Sequence, residues 1–374
     1  MKIIHCADLH LDSKMTTHLS GAQLRRRRAE LLHTFTRMVE YAGEQDVKAI
    51  LICGDLFDTK NISAQARNTV YETICRNPEI GFFYLAGNHE ETAFVEWMPS
   101  VPENLHIFGT EWTAFQIGSV SIEGTDHFTE VPLPSTSAEG AVPGDEKNRT
   151  RINAFRIVAL HGQLSEYGGA EPESLNLQLL RNRGIDYLAL GHIHTYKKGE
   201  LAPKGIWCYS GALEGRGFDE CGPHGFVLLD IDEETGTCRD SFVPFASRRL
   251  WELPVDISGT STTVEIIARI EEMLNSAEEL SAGDLVRVVL KGRLDVCDEK
   301  NTAQIMAHFG DRFALFQVRD ETKLDVNYLS YEHDASLKGE LVRLLQRDPE
   351  LSEDEKAEIV RCGLQALSGE EFEF

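Results

Sequence analysis

The first third of the chain alternates short apolar runs with longer stretches that are apolar on one side only. Lys2–Cys6, Lys48–Cys53 and Gly81–Ala86 are short runs typical of strands buried on both faces. Gln23–Gly43 and Ser63–Cys75 repeat apolar residues at helical spacing, and the second begins with a residue type that commonly caps helices. This β-α-β-α-β order predicts parallel strands, whose carboxyl ends meet at one edge of a sheet.

The pattern changes after Leu105. Short apolar runs follow one another up to Glu123 and predict antiparallel strands, whereas residues 129–151 are rich in Pro, Ser, Gly and charge and predict a surface loop. The elements beyond this loop suit two stacked sheets flanked by helices. They are strands at Phe155–Leu160, Ile185–Leu190, Ile206–Tyr209, Gly225–Ile231 and Ser241–Phe245, and a helix at Leu175–Arg181.

A second, smaller domain is predicted at the C-terminal end, so that the two domains span residues 1–246 and 247–374. Its apolar runs alternate between strand and helix patterns, as expected of a small α+β unit that closes with helices. The predicted strands are Arg249–Ile257, Leu285–Lys291 and Phe313–Val318, and the predicted helices are Thr262–Asn275, Ala303–Phe309, Lys338–Gln346 and Glu353–Leu367.

Side chains that bind metal ions follow five of the predicted strands of the first domain. Each group stands at or next to a glycine or a turn. Turn preference explains Asp, Asn and Gly at such positions, but it does not explain the histidines. The groups are Asp8 with His10, Asp55, Asn88 with His89 and Glu90, His161, and His192 with His194.

Such a set suits two metal ions held side by side, an arrangement that polarises both the attacking and the leaving oxygen of a phosphate ester. Asp8 and His10 are two residues apart and can face one ion, and so can His192 and His194. Asp55 stands alone after the second strand and is the natural bridge between the ions. Seven residues are therefore predicted to bind metal: Asp8, His10, Asp55, Asn88, His161, His192 and His194.

The mixture of imidazole and carboxylate suits Mn²⁺, Fe, Zn or Co better than Mg²⁺, and we expect two divalent ions with Mn²⁺ as the first candidate. His89 adjoins the predicted ligand Asn88 and is predicted to be catalytic, protonating the departing oxygen or stabilising charge in the transition state. Glu90 is expected to orient the His89 imidazole. Asp58, which completes a Gly-Asp-x-x-Asp motif, is expected to support the ligands rather than to bind metal.

Composition narrows the class of protein further. The formal net charge of −24 argues against broad electrostatic binding to nucleic acid, so a polyanionic substrate would need bound metals and local basic patches. The eight cysteines form no Cys-x-x-Cys pair, and no apolar run approaches the roughly 20 residues that cross a bilayer. With no signal-peptide pattern at Met1, we expect a cytoplasmic protein with reduced thiols and no membrane contact.

Two basic features leave alternatives open. Arg25–Arg28 opens the first long helix, where such a run is usually a solvated face, and the competing hypothesis is that part of it binds substrate phosphates. Arg216 is compatible with a phosphate contact near the site and equally with bracing its own loop.

The five groups resemble the complete motif set of the calcineurin-like metallophosphoesterases. These motifs are D-x-H, G-D-x-x-D, G-N-H-E, H-G and G-H-x-H. The resemblance covers roughly residues 1–246 and implies a four-layer sandwich of two mixed sheets flanked by helices. It implies that the first metal ion is held by Asp8, His10, Asp55 and His194. It implies that the second is held by Asp55, Asn88, His161 and His192, with His89 in the catalytic position.

Within that superfamily the chain resembles the SbcD-type DNA repair exonucleases, especially their YhaO-like branch. The stretches that carry this narrower resemblance are Ala7–Ser13, Gly54–Asp58 and Tyr209–Glu220, with Ser210 where the family usually has Pro. The resemblance implies a two-metal-dependent DNA nuclease, exonucleolytic and active in DNA repair, whose C-terminal domain caps the site. It implies single-stranded DNA or duplex ends as substrate, an SMC-like ATPase as a candidate partner, and a homodimer as a candidate assembly.

Two other functions are compatible with the same residues. One is a phosphodiesterase or phosphatase that acts on small nucleotides. The other is of a different class: a scaffold that binds metal ions for stability and has no turnover.

Overall fold

The computed structural model describes residues 1–15, 21–58, 62–87, 93–96, 98–128, 130–132, 155–169 and 173–368. The chain divides into two compact units, Met1–Arg249 and Leu250–Phe374. Among the helices described, none combines the length and the apolar character needed to cross a bilayer.

The described part of the first unit contains strands β1 to β14 and helices α1 to α4. The strands are β1 Lys2–Cys6, β2 Val47–Cys53, β3 Gly81–Leu85, β4 Leu105–Phe108, β5 Thr113–Ile117, β6 Val120–Gly124, β7 Phe155–His161, β8 Gln163–Ser165, β9 Ser174–Asn176, β10 Tyr187–Gly191, β11 Lys197–Leu201, β12 Gly205–Tyr209, β13 Gly225–Asp232 and β14 Thr237–Pro244. The helices are α1 Gly21–Glu44, α2 Ala64–Arg76, α3 Ala93–Glu96 and α4 Leu177–Leu180.

Two mixed six-stranded sheets organise the described residues of this unit. The first has the order β14-β13-β1-β2-β3-β4, in which β1 to β4 are parallel and β13 and β14 are antiparallel to their neighbours. The second has the order β11-β12-β10-β7-β6-β5, in which β12, β10, β7 and β6 are parallel. The strands β5 and β11 run antiparallel at its two edges.

Side-chain alternation along β1 and β2 explains why these strands are continuous apolar runs. Ile4 and Ile52 face the core shared with the helices, whereas Ile3 and Leu51 face the core between the two sheets. A strand that is covered on both faces has no position for a solvent-facing polar residue, so its sequence loses the polar half of the usual alternation. The predicted class, two mixed sheets flanked by helices, is confirmed.

The two long helices lie over the first sheet. α1 buries the face that carries its apolar stripe, which includes Leu31, Phe35 and Met38. The N-cap predicted for α2 is confirmed, because Ser63 Oγ accepts a hydrogen bond from the Ala66 amide at 3.2 Å.

The second unit contains a three-stranded parallel sheet in the order β15-β16-β18, a two-stranded pair of β17 with β19, and helices whose bounds stay close to the predicted ones. Its apolar core lies between the larger sheet and α5 and α6. The elements are β15 Leu250–Asp256, α5 Thr263–Ser276, β16 Leu285–Lys291, β17 Arg293–Asp295, α6 Thr302–Phe309, β18 Leu315–Asp320, β19 Lys323–Asp325, a 3-10 turn at Tyr328–Tyr331, α7 Leu337–Gln346 and α8 Glu353–Ser368.

Three local predictions are wrong in detail. The segment predicted as helix Leu175–Arg181 begins as a strand, because Asn176 caps a single turn by accepting from the Gln178 amide. The predicted antiparallel switch after Leu105 begins one strand later, since β4 is parallel to β3. The edge strand β11 has no predicted counterpart, because its lysines and glutamate give no apolar alternation. Most of the predicted loop at 129–151 lies outside the described residues.

Candidate metal centre

The loops that follow β1 and β2 are joined side by side by backbone hydrogen bonds. The amides of Asp8 and His10 donate to the carbonyls of Gly54 and Asp55, at 3.1 and 2.9 Å. Because β1 and β2 are parallel neighbours, their ligand-bearing loops leave the sheet at the same edge. The predicted groups on these two loops are therefore brought together by the sheet itself.

Several of these residues have left-handed backbone conformations. The φ angles of Asp8, His10 and Asp55 are 52°, 44° and 49°, and that of His192 is 101°. Each such conformation costs a non-glycine residue on the order of 1–3 kcal/mol, and such residues cluster at functional sites. Four of the seven predicted metal ligands are therefore held in backbone conformations that the rest of the fold must stabilise.

Two glycines make room for the side chains. Gly54 has φ of 88°, and a Cβ at this position would overlap the His161 ring. A Cβ at Gly87 would overlap the Asp55 carboxylate. The glycines of the Gly-Asp and Gly-Asn motifs therefore permit close packing of the site as well as the turns.

One half of the centre is formed by Asp8, His10 and His194, whose potential ligand atoms all lie within 4.8 Å of one another. The Nε2 atoms of His10 and His194 face each other at 3.1 Å. Asp8 and His10 are almost fully buried, at 1% exposed each.

The other half is formed around Asp8, Asp55 and His161, which meet the same 4.8 Å limit. Asp55 Oδ2 lies 3.7 Å from His10 Nε2 and 3.6 Å from His161 Nε2. One carboxylate oxygen is thus close to a histidine of each half, which is the position that a bridging carboxylate requires.

His192 joins the centre through its backbone and its ring. Its amide donates to both carboxylate oxygens of Asp8, at 2.9 and 3.0 Å. Its ring centroid lies 5.5 Å from that of His161. His192 is therefore beside the second half of the centre, next to the histidine with which the family resemblance pairs it.

In all four described histidines of the centre, one ring nitrogen faces an oxygen atom of the protein. Metal-bound histidines usually direct one ring nitrogen to a carboxylate or carbonyl, which fixes the ring and leaves the other nitrogen for the metal. In each case here it is Nδ1 that faces the oxygen. The pairs are His10 with Asp58 Oδ1 at 3.1 Å, His161 with the Cys53 carbonyl at 3.0 Å, His192 with Glu173 Oε2 at 3.4 Å, and His194 with Glu220 Oε1 at 2.8 Å.

The donor set fits divalent metal ions. The Nε2 atoms of His10 and His194 lie 3.1 Å apart, and a carboxylate oxygen faces the Nδ1 atom of each ring. With the hydrogen of each ring on Nδ1, both Nε2 lone pairs are available to one metal ion. Ligands about 2.1 Å from one ion and at right angles to each other lie about 3.0 Å apart, close to this separation. The buried carboxylates of Asp8 and Asp55 also need a compensating positive charge.

Burial dominates the pKa shifts of most groups in the centre, and the directions for His10 and His161 suit metal binding. Burial, reinforced by neighbouring Asp55, raises the pKa of Asp8 to about 7. Burial lowers the pKa of His10 and His161, which keeps both imidazoles neutral. Burial also opposes protonation of His194, but the Glu220 and Asp8 carboxylates outweigh it and raise its pKa. Neutral imidazole is the form that binds metal, so a bound ion has to displace the proton that these carboxylates favour on His194.

Some of the predicted residues lie outside the described part of the chain, namely Asn88, His89 and Glu90. The expectation that Asp58 supports a ligand agrees with its place behind His10. Sequence reasoning gives no role to Glu173, Glu220 or the Cys53 carbonyl. Glu220 is detectable as the last residue of the Gly-Arg-x-Phe-x-Glu stretch, whereas the other two leave no signal in the sequence.

The arginine run on α1 is only partly a solvated face. Arg27 is 5% exposed and donates from Nη2 to the Gly215 carbonyl at 2.8 Å. Arg28 Nε donates to the Ser13 carbonyl at 2.8 Å. Both side chains brace loops beside the centre, so the hypothesis that part of this run binds substrate phosphates stays a prediction for the remaining arginines, Arg25 and Arg26.

Comparison with known proteins agrees with the architecture. The profile of the calcineurin-like phosphoesterases matches residues 1–196, and the chain belongs to this family. Membership implies a dinuclear site for divalent metal ions. The protein is accordingly a metal-dependent phosphodiester hydrolase.

Three curated relatives are similar to most of the chain. The uncharacterized metallophosphoesterase YhaO of Bacillus subtilis is 29% identical over 310 residues, which is 78% of this chain and 72% of the relative. The DNA double-strand break repair protein Mre11 of Methanosarcina acetivorans is 23% identical over 85% of this chain, which spans only 55% of that relative. A subunit of the nuclease SbcCD from Staphylococcus epidermidis is 25% identical over 68% of this chain and 72% of its own length.

Among solved structures, the protein TT1561 of Thermus thermophilus aligns with 64% of this chain and 98% of its own, at 12% identity and a TM-score of 0.39. This likeness is too distant to bear on activity.

Proposed function

We propose that the protein is a Mn²⁺-dependent DNA nuclease that acts as an exonuclease in DNA repair. The observation that supports this most is the convergence of two histidine-carboxylate halves on Asp55, in a chain whose relatives include proteins named for DNA double-strand break repair and for the nuclease SbcCD. Phosphodiester hydrolysis follows from the family, and the choice of DNA is the step that the proposal adds.

In this proposal the first ion is held by Asp8, His10, Asp55 and His194. The second is held by Asp55, Asn88, His161 and His192. When bound, the two ions polarise the phosphate and lower the pKa of water. Mixed imidazole and carboxylate ligands suit Mn²⁺, Fe, Zn or Co better than Mg²⁺, and Mn²⁺ is the ion that we propose.

The chain itself supplies orientation and a proton donor. The oxygens behind the four histidines fix their rings, and the His192 amide holds both oxygens of Asp8. His89 is proposed to protonate the departing oxygen, or to stabilise charge on the phosphate in the transition state. Residues 247–374 are proposed to contact the DNA, and an SMC-like ATPase is the proposed partner.

The test is a substrate panel with purified full-length protein and Mn²⁺. Linear duplex DNA and single-stranded DNA are compared with cyclic nucleotides and aryl phosphates, for the wild type and for His89→Gln. We expect cleavage of DNA from its ends, abolished by chelator and lowered about 100-fold or more in His89→Gln, with metal content unchanged.

The alternatives give different results. Turnover confined to cyclic nucleotides or aryl phosphates would replace the DNA assignment with a small-nucleotide phosphodiesterase. Two bound Mn²⁺ ions with no turnover on any substrate would indicate the metal-stabilised scaffold. Equal cleavage by the wild type and His89→Gln would remove His89 from the mechanism without removing the nuclease.

A further inference from the structure

Arg216 lies on the loop after β12 and contacts three groups around one half of the centre. Its Nη1 donates to Asp58 Oδ1 at 2.9 Å, and its Nη2 donates to Glu220 Oε1 at 2.9 Å. Its Nε also donates to Glu220 Oε1, at 3.2 Å, and Nη2 lies 3.3 Å from His194 Nδ1. Its backbone amide donates to Glu220 Oε2 at 2.8 Å, which fixes the loop around the side chain.

The same two carboxylate oxygens are the ones that face the histidines. Asp58 Oδ1 lies 3.1 Å from His10 Nδ1, and Glu220 Oε1 lies 2.8 Å from His194 Nδ1. Because His10 and His194 face each other through Nε2 at 3.1 Å, these contacts close a ring. We call it the Arg216 ring, and its members are Arg216, Asp58, His10, His194 and Glu220.

The other half of the centre is built differently. His161 is held by the backbone carbonyl of Cys53, and His192 lies beside the carboxylate of Glu173. Within the described residues, the polar contacts of Arg216 are with Asp58, Glu220 and His194, so it supports only the first half. The two halves of the centre therefore depend on different supports.

We propose that Arg216 is a positioning residue that sets the affinity of one metal position, the one between His10 and His194, and leaves the other position unaffected. This inference rests on the ligand set of the proposed function. A guanidinium carries its donors in a rigid fork and can hold two carboxylates at a fixed separation, which a lysine ammonium on a flexible stem cannot do. Removing the fork takes away the donor that Asp58 Oδ1 and Glu220 Oε1 share, and these are the oxygens that face the two histidine rings.

The contacts also bear on the alternative that Arg216 grips a substrate phosphate. Nε, Nη1 and Nη2 each donate to a carboxylate oxygen, and the side chain is only 19% exposed. A phosphate contact would have to break this ring, so the bracing alternative is favoured.

The experiment measures Mn²⁺ binding to metal-free, full-length protein by calorimetric titration, for Arg216→Gln and Arg216→Lys. Changes that disturb the groups around a metal ligand typically weaken binding about 10–100-fold. We expect one of two Mn²⁺ steps to weaken by that factor in both variants, and the other to stay within about threefold. Arg248→Gln is the matched control, because Arg248 is 14% exposed and donates from Nε and Nη2 to Glu30 at 2.9 and 2.7 Å. Both Mn²⁺ binding steps should be unchanged in Arg248→Gln.

Paired variants identify which position is lost. In a His194→Ala background the remaining Mn²⁺ should bind equally with and without Arg216→Gln, because both changes act on the same position. In a His161→Ala background Arg216→Gln should weaken the remaining step. Circular dichroism and thermal unfolding of each variant separate these effects from loss of fold, and Glu220→Gln replaces any Arg216 variant that does not fold.

Two results would overturn the inference. One is two unchanged Mn²⁺ steps in Arg216→Gln, and the other is equal weakening of both steps in a folded variant. Neither result touches the proposed function, which stands or falls on whether the wild type binds two ions and cleaves DNA.

Discussion

Tyr209 ties strand β12 to the loop that follows His161. Its hydroxyl donates to the Gly162 carbonyl and accepts from the Leu164 amide, both at 2.8 Å. The side chain is 3% exposed, and burial raises its pKa to about 12, so the hydroxyl stays protonated and able to donate. Tyr209→Phe removes a single oxygen and keeps the volume of the ring.

The cost follows from the two backbone groups that the oxygen serves. A buried donor or acceptor left without a partner costs about 1–3 kcal/mol, and here one of each is left. Because Gly162 is buried but Leu164 is only half-buried, we expect Tyr209→Phe to lower the free energy of unfolding of the first unit by about 2–4 kcal/mol, below the sum for two fully buried groups. Because the affected loop begins at His161, we also expect weaker binding of one Mn²⁺ ion.

The assay is urea unfolding of metal-free protein, followed by circular dichroism and tryptophan fluorescence. Tyr41→Phe is the control, since Tyr41 packs its ring against Phe226 and Phe245 and should lose less than about 0.5 kcal/mol. A loss below about 0.5 kcal/mol in Tyr209→Phe, with the same dependence on urea, would refute the reasoning about this loop.

Three other changes test separate parts of the account. Ser63→Ala removes the N-cap of α2 and should lower the free energy of unfolding by about 1 kcal/mol in urea, whereas no change would mean that the cap is not used. Phe35→Ala empties a fully buried position in the core beneath α1 and should cost about 3–5 kcal/mol, unless the neighbours collapse into the space. Burial lowers the pKa of His5 to about 3, below its unfolded value, so the stability it contributes is present above pH 6.5 and is lost as pH falls towards 3. Between pH 7 and 5 this amounts to about 2 kcal/mol, and His5→Asn should remove that part of the pH dependence of urea unfolding, while an unchanged dependence would exclude His5 as its source.

Much of the fold is predictable because the buried strands of the first unit can be recognised from their own short stretches of sequence. Lys2–Cys6 and Lys48–Cys53 are buried on both faces, so their apolar runs identify strands whose carboxyl ends have to meet. The ligand groups after those strands can then be placed together without any knowledge of the structure. The edge strand β11 escapes prediction because a solvent-exposed edge tolerates lysine and glutamate, which resemble a loop in sequence.

The groups that hold the histidine rings in place are harder to predict than the histidines themselves. His161 is held by the carbonyl of Cys53, and every residue offers a carbonyl, so the sequence carries no mark of that contact. Glu173 is held near His192 by the pairing of β8 with β9, a contact between short segments. Arg216 and Glu220 are visible as a motif, but their role becomes clear only because Asp58, from a distant loop, shares the same guanidinium.

Anomalous X-ray scattering from crystals of the full-length protein grown with Mn²⁺ would show directly whether two ions bind at this centre. We predict two peaks about 3.5–4 Å apart, one between His10 and His194 and the other beside His161 and His192, with Asp55 between them. A single peak, or two peaks away from these histidines, would contradict this prediction.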